Sequence, residues 1–424
     1  MTKLQFFLNQ AATKLWIRPT LFSLGALGWV ALSYLTEIFY PEAFGVNIPK
    51  ETLVGLFTIL ASTMLTVATF SVSAVANAFA AVGNSASPRA TSIVMADARI
   101  QSTLAAFLAA FIYAVVSITA LSAVGFGNVG RFMLFLGFVL LVAWVLMSFL
   151  AWVDRVSRLG MLGDTLERVS AAARKAFSEP GLAGPLGGKS HPEDEDPPDG
   201  TVLRFDSFGY IQHIDMEALQ ALAEKRDAEI WLSVRPGKLV TPRVPVGIFR
   251  ADAEPDDDDL AAIRACFSTG SERSPQTDPR FSMILLAEVA GRALSPAVND
   301  PGTAIAVIGL QLELFHLWAE NGRESGDPPR FDRISLPTIT AEDLIFDAFT
   351  PVARDGAGSI EVCFRLQKGL RALMHMNHPP LCEAASAYRE TALELSDHAL
   401  PVTSQRNAVR RLARKPLEES DRNG

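Results

Sequence analysis

Four stretches of this chain run without a charged side chain for long enough to cross a bilayer: 19–36, 52–88, 100–130 and 132–153. A spanning helix needs about 20 mostly apolar residues, and a charge at its centre costs several kcal/mol. A chain with this pattern is therefore expected to form an α-helical membrane protein with four transmembrane helices, plus a soluble part. The balance of 49% hydrophobic against 20% charged residues, with a mean hydropathy of +0.22, agrees. A signal peptide behind Lys3, Lys14 and Arg18 would account for the first stretch alone, and three more follow it.

The cations set the expected orientation. Lys3, Lys14 and Arg18 precede the first stretch, Arg89 and Arg99 lie between the second and third, and Arg155, Arg158, Arg168, Arg174 and Lys175 follow the fourth. The other two connections hold Glu37, Glu42, Lys50, Glu51 and Arg131. Both termini are thus expected in the cytoplasm. Residues 1–160 carry 9 Lys and Arg against 5 Asp and Glu, and residues 161–424 carry 29 against 41. An acidic soluble part argues against nucleic acid as a partner, because binding phosphates needs a basic footprint. Cys266, Cys363 and Cys382 are too few and too scattered for a disulfide framework.

The second stretch is much longer than a bilayer requires, and it carries a polar stripe: Thr58, Ser62, Thr66, Thr69, Ser73, Asn77 and Asn84. At 100° per residue these fall within an arc of about 100° on one helix face. Two readings are open. The stripe packs against neighbouring helices, where small and hydroxyl residues allow close approach, or it lines a water-filled path in an oligomer. In the third stretch Ala105, Ala106, Ala109, Ala110, Ala114 and Ser117 form a small surface suited to tight packing. The charge-free stretches hold no histidine either, which counts against an ion-coupled carrier.

Expected domains are 1–160, the membrane helices; 161–200, a juxtamembrane helix and a flexible acidic linker rich in Pro and Gly; 201–255, a small cytoplasmic α/β unit; 256–400, a cytoplasmic helical subdomain; and 401–424, a basic to polar tail. The soluble domain is thus α+β. Asp215 reads as a helix cap, and Pro236-Gly237 as a turn. The acids 256–259 read as a helix start and lack the spacing of a calcium loop. Asp300-Pro301 suits an N-cap and first helical position. The basic run 406–415 suits either anionic headgroups or a solvated helix end.

Several segments carry a family resemblance: Phe70-Ser71 through Ser87-Pro88-Arg89; Asp97, Gln101, Phe107, Phe111 and Tyr113; 207–215; 273–281; and 292–303, with Ser295-Pro296 and Asn299-Asp300-Pro301. In these the chain resembles the bacterial predicted membrane proteins of domain-of-unknown-function family 2254, departing from the pattern at Phe208 and Ala297. The resemblance implies a multi-pass topology with a cytoplasmic domain and brings no established activity.

Phosphate-loop, dinucleotide, zincin and nucleophile-elbow signatures are absent, so no cofactor is expected and an enzyme ranks last. His375, His378 and Cys382 come nearest to a metal cluster, but Pro379-Pro380 interrupts them. The motif positions Ser87, Arg89, Asp97, Gln101, Arg273, Gln276, Asp278, Arg292, Ser295, Asn299 and Asp300 form a candidate polar interface or anion site. The competing account makes Asp278 and Asp300 helix caps and pairs Arg292 with an acid. The preferred functional reading is an oligomeric passive pore or channel-like protein, a homo-oligomer passing inorganic ions, with a cytoplasmic assembly or gating domain. The alternative is a membrane-anchored scaffold or sensor that binds a protein or a small anionic ligand.

Overall fold

The computed structural model describes residues 16–40, 47–85, 89, 98–158, 162–178, 181–182, 184–321 and 328–415. The chain divides into two compact units, one made of the early helices and the other of residues 166 onward together with Arg89.

The first unit contains α1 (Ile17–Phe39), α2 (Lys50–Ser85), α3 (Ala98–Ala123) and α4 (Asn128–Arg158). Long uncharged apolar runs become helices because in lipid every backbone N–H and C=O must be satisfied within the segment. The small surface of α3 is buried throughout, as its composition implies: Ala105, Ala106, Ala109, Ala110, Ala114 and Ser117 all lie in the interior. The Tyr113 hydroxyl donates to the Leu134 carbonyl at 2.7 Å and the Trp29 indole to that of Met133 at 3.1 Å. Glu37 accepts from the Gly130 N–H at 2.7 Å, which caps the first turn of α4. The helix α2 joins this bundle through large side chains. Leu53, Phe57 and Leu60 are buried, and the Phe57 ring meets those of Tyr113 and Phe138 edge-on at 5.6 and 5.8 Å. The outer faces are apolar, with Leu140, Leu146, Met147 and Leu150 of α4 exposed for lipid contact.

The second unit begins within α5 (Leu162–Ser178), at Leu166, and contains two sheets. Its strands are β1 (Gly188–His191), β2 (Thr201–Leu203), β3 (Gly209–Ile214), β4 (Glu229–Leu232), β5 (Leu239–Val240), β6 (Gly247–Arg250), β7 (Phe267–Gly270) and β8 (Phe331–Pro337). The larger sheet runs β1-β8-β4-β6-β2, with β8 parallel to both neighbours and the rest antiparallel; the smaller runs β5-β3-β7, all antiparallel. The helix α6 (Met216–Lys225) closes over the core behind the Asp215 cap, which accepts from the Ala218 N–H at 3.2 Å. The helix α7 (Asp257–Ala265) starts on a reciprocal capping box between Asp256 and Asp259, and Arg226 is ion-paired to both acids. The acidic run is therefore consumed by a helix start.

Helices α8 (Pro279–Ala293), α9 (Pro301–Asn321), α10 (Ala341–Asp355), α11 (Ile360–Met374), α12 (Pro379–Ala399) and α13 (Thr403–Ala413) complete the unit. Two expectations need correction. The segment expected as a flexible linker contains β1, paired in parallel to β8, and Arg235 holds the Leu182 and Gly184 carbonyls of the turn before it. The region expected to be all-helical contributes β7 and β8 to the sheets, so the α/β unit is completed by later parts of the chain. The basic run is the docked helix α13, with Val409 and Ala413 buried and Arg410 on Asp397 at 2.8 Å.

Among the described residues, five helices are long and apolar enough to cross a membrane: α1, α2, α3, α4 and also α9. The fifth departs from the expected four.

Candidate functional site

The polar face of α2 belongs to the first unit. Thr58, Ser62, Thr66, Thr69, Ser73 and Asn77 are all exposed, with no packing neighbours among the described residues of this unit. The side chain of Asn84 lies outside the described residues. Each hydroxyl donates its single proton into its own helix: Thr58 to the Val54 carbonyl at 2.7 Å, Ser62 to Ile59 at 3.0 Å, Thr66 to Ser62 at 3.0 Å, Thr69 to Leu65 at 2.8 Å and Ser73 to Thr69 at 3.1 Å. What the hydroxyls leave facing outward is a row of oxygen lone pairs. Asn77 adds an amide that makes no hydrogen bond within the described residues.

In the second unit the motif residues divide between the two ends of α8. At the N-terminal end Asp278 is buried and serves two partners at once. One carboxylate oxygen accepts from the Phe281 N–H at 3.1 Å, capping the helix before Pro279, and the other accepts from Arg273 Nε at 2.6 Å. The Arg273 guanidinium also lies over the Phe281 ring at 5.1 Å. Gln276 is exposed and accepts from the Ser274 hydroxyl at 2.8 Å.

Against this end sits the Pro236-Gly237 turn, which creates a cleft of about 220 Å³. Its charged walls are Arg235, Lys238, Arg273 and Arg280, with Glu193 and Asp278. Gly237 has φ +95°, a left-handed conformation that favours glycine, and a Cβ there would collide with the Asp278 carboxylate. Arg235 is held entirely by main-chain carbonyls, donating to Leu182 at 2.7 Å, Gly184 at 2.9 Å and Pro337 at 2.7 Å. Burial pulls its pKa down to about 10. The hydrogen bond from Lys238, at 2.8 Å, holds Glu193 below the usual carboxylate range. Arg280 is clamped from α10, by Asp347 at 2.7 Å and Asp343 at 2.9 Å.

At the other end of α8, roughly 22 Å away at 1.5 Å per residue, the motif residues build a tight turn. Ser295 Oγ donates to the Arg292 carbonyl at 2.7 Å, Asn299 adopts φ +49°, and Asp300 caps α9 by accepting from the Thr303 N–H at 3.1 Å and the Thr303 hydroxyl at 2.6 Å. That hydroxyl bond holds the Asp300 pKa down. Arg292 is exposed and has no ion-pair partner among the described residues, contrary to the expected pairing with an acid. Arg89 pairs instead with Glu288, one turn earlier on α8. Gln101 is buried in α3 of the first unit, and Ser87 and Asp97 lie outside the described residues. Sequence reasoning missed Arg235, Lys238, Glu193 and Arg280. The only local signal for them was the Pro-Gly turn flanked by two cations.

His378 caps α12 through Nδ1, which accepts from the Leu381 N–H at 3.3 Å, and its ring packs on Trp318. The Cys382 thiol donates to the Met376 carbonyl at 3.0 Å. Cys363 is buried, and burial raises its pKa to about 11; Cys266 is buried as well. At neutral pH a maleimide is expected to label Cys382 first and Cys363 last, since the thiolate is the nucleophile. Timed peptide mass spectrometry checks the order, and early labelling of Cys363 would contradict it.

Long apolar helices joined to a mixed α/β unit define an integral membrane protein with a large non-membrane part. Within that class, the chain belongs to the family described as predicted membrane protein (DUF2254), whose model matches residues 12–372. It is 33% identical over 116 residues to the uncharacterised proteins Mb1321c of Mycobacterium bovis and Rv1290c of Mycobacterium tuberculosis, a match covering 26% of this chain and 22% of each relative. No solved structure matches the chain.

Proposed function

We propose that this is an oligomeric, channel-like protein of the bacterial inner membrane, in which α2 of each copy turns its hydroxyl face toward a shared polar path for small cations. The reading rests on one observation: the stripe from Thr58 to Asn77 is exposed on its own unit. A continuous polar face is poorly suited to lipid, above all at the Asn77 amide, and is well suited to water or to a second copy. Because the hydroxyl protons point inward, the face offers oxygen acceptors, which replace the hydration of a cation rather than of an anion.

In this reading α1 to α4 cross the membrane, both termini lie in the cytoplasm, and α9 belongs to the soluble domain. Support for leaving α9 out of the bilayer comes from its surroundings. Gln311 is buried and donates to the Ala348 carbonyl at 3.0 Å, Glu313 pairs with Arg174 at 2.6 Å, and the Asn321 amide donates to the Phe177 carbonyl at 2.7 Å. The soluble domain then assembles or gates the path.

The test is reconstitution of the purified protein in liposomes, with the oligomer mass taken from the same preparation. A conductance whose reversal potential in a potassium chloride gradient follows potassium is the expected result. Vesicles that stay tight around an intact oligomer would count against the pore.

A further inference from the structure

We propose that the cleft between the Arg235–Leu239 turn and the N-terminal end of α8 binds a small oxyanion of the phosphate class, held by Arg235, Arg273 and Lys238. These three side chains keep unspent donors. A guanidinium has five N–H donors in a fixed fork. Arg235 spends three on carbonyls, through Nη1 on Gly184 and Pro337 and Nη2 on Leu182, so Nε and one Nη2 proton remain. Arg273 spends only Nε, on Asp278, so both of its terminal amino groups remain as the pair that meets an oxyanion bidentately. Lys238 makes one hydrogen bond, to Glu193, leaving two of its three protons.

The acids nearby do not cancel this arrangement evenly. Two of the four carboxylates, Asp343 and Asp347, sit on Arg280, take three of its five donors and outweigh its charge, so Arg280 gives shape more than attraction for an anion. Glu193 and Asp278 take one cation each. Arg235 is left with neutral partners and no carboxylate within ion-pair distance among the described residues. A cation pinned by neutral acceptors at the wall of a cleft, beside spare donors from two other cations, is an incomplete site that an anion completes.

Size narrows the class. About 220 Å³ holds a tetrahedral oxyanion with a few waters, and it falls below the roughly 300–1,000 Å³ of pockets for larger organic ligands. The source is a free ion or the phosphate of a lipid headgroup, and the two share this chemistry.

The experiment titrates the full-length protein in detergent with inorganic phosphate at constant ionic strength, by calorimetry. Saturable binding is expected, and Lys238→Gln and Arg273→Lys should each weaken it about tenfold or more, since each removes a charge-assisted bond or the bidentate fork. Both variants leave the carbonyl bonds of Arg235 in place, which Arg235→Gln would strip from the fold. Arg354→Gln, an exposed pair with Asp355, is the control and should bind as the parent does. Absence of saturable phosphate binding, or the parent's affinity in both Lys238→Gln and Arg273→Lys, overturns the site. A water-soluble short-chain phosphatidate separates the sources. If it displaces phosphate and binds more tightly, the site is supported and reads a headgroup; if phosphate binds more tightly, the site is supported and reads the free ion.

Discussion

Asp278→Ala should destabilise the C-terminal unit by about 3 kcal/mol or more, the range for removing one partner of a buried pair together with a helix cap. The carboxylate is buried, takes Arg273 Nε at 2.6 Å and caps α8 at the Phe281 N–H. Removing it leaves a half-buried guanidinium over an apolar ring and frees the first turn of the helix on which the unit packs. Met283, Leu285, Leu286, Ala287 and Val289 of α8 are all fully buried, so loosening its start is felt in the core. Gly237→Ala should approach the same state from the opposite side, because its Cβ would displace the carboxylate and the residue would keep a positive φ. Hydrogen exchange followed by mass spectrometry reads the effect locally, as lost protection at the start of α8 and across residues 235–238. Unchanged protection in Asp278→Ala would mean that Arg273 and the cap are not coupled through this side chain.

Much of the architecture was legible because its signals are local. The caps at Asp215, Asp278 and Asp300 precede their helices directly, and each is in place. The charge-free runs announce α1 to α4 through length alone. The strands β1 and β8 were not legible, for a physical reason. Gly188 pairs with Phe331 across a separation that no local pattern spans, and Gly-Lys-Ser-His carries no strand propensity of its own. The run Phe331–Pro337 is broken by Asp332 and Arg333, and β7 follows directly on a short helix inside a region expected to be helical.

The cleft divides along the same line. Arg273 and Asp278 are five residues apart in one loop and could be grouped from sequence. Arg235 and Glu193 come from a turn and from a presumed linker, and they meet Asp278 and Arg280 only because β4, β8 and α8 converge. An arginine whose partners are carbonyls leaves no trace in sequence, since any residue supplies a carbonyl. Arg292, Asn299 and Asp300 were grouped with this site by motif and belong to the far end of the helix.

Thr66→Leu and Ser73→Leu should cut ion flux about tenfold while the oligomer mass stays unchanged, equivalent to roughly 1.4 kcal/mol added to the barrier. From Thr58 to Asn77 the stripe spans nineteen steps of 1.5 Å, about 29 Å, close to the roughly 30 Å of a hydrocarbon core. A leucine in its middle replaces an outward-facing oxygen with an apolar branch and opens a dry gap in an otherwise continuous acceptor row. Thr119→Leu is the matched control, because Thr119 is a back-bonded threonine exposed on α3, outside the stripe. The two roles of the stripe separate cleanly in this set. Unchanged flux in both α2 variants would remove the stripe from the path. Dissociation of the oligomer in Thr66→Leu, with Thr119→Leu intact, would make the face an interface between copies, because a leucine disrupts a hydroxyl contact surface by bulk while leaving an open aqueous face free to accept it.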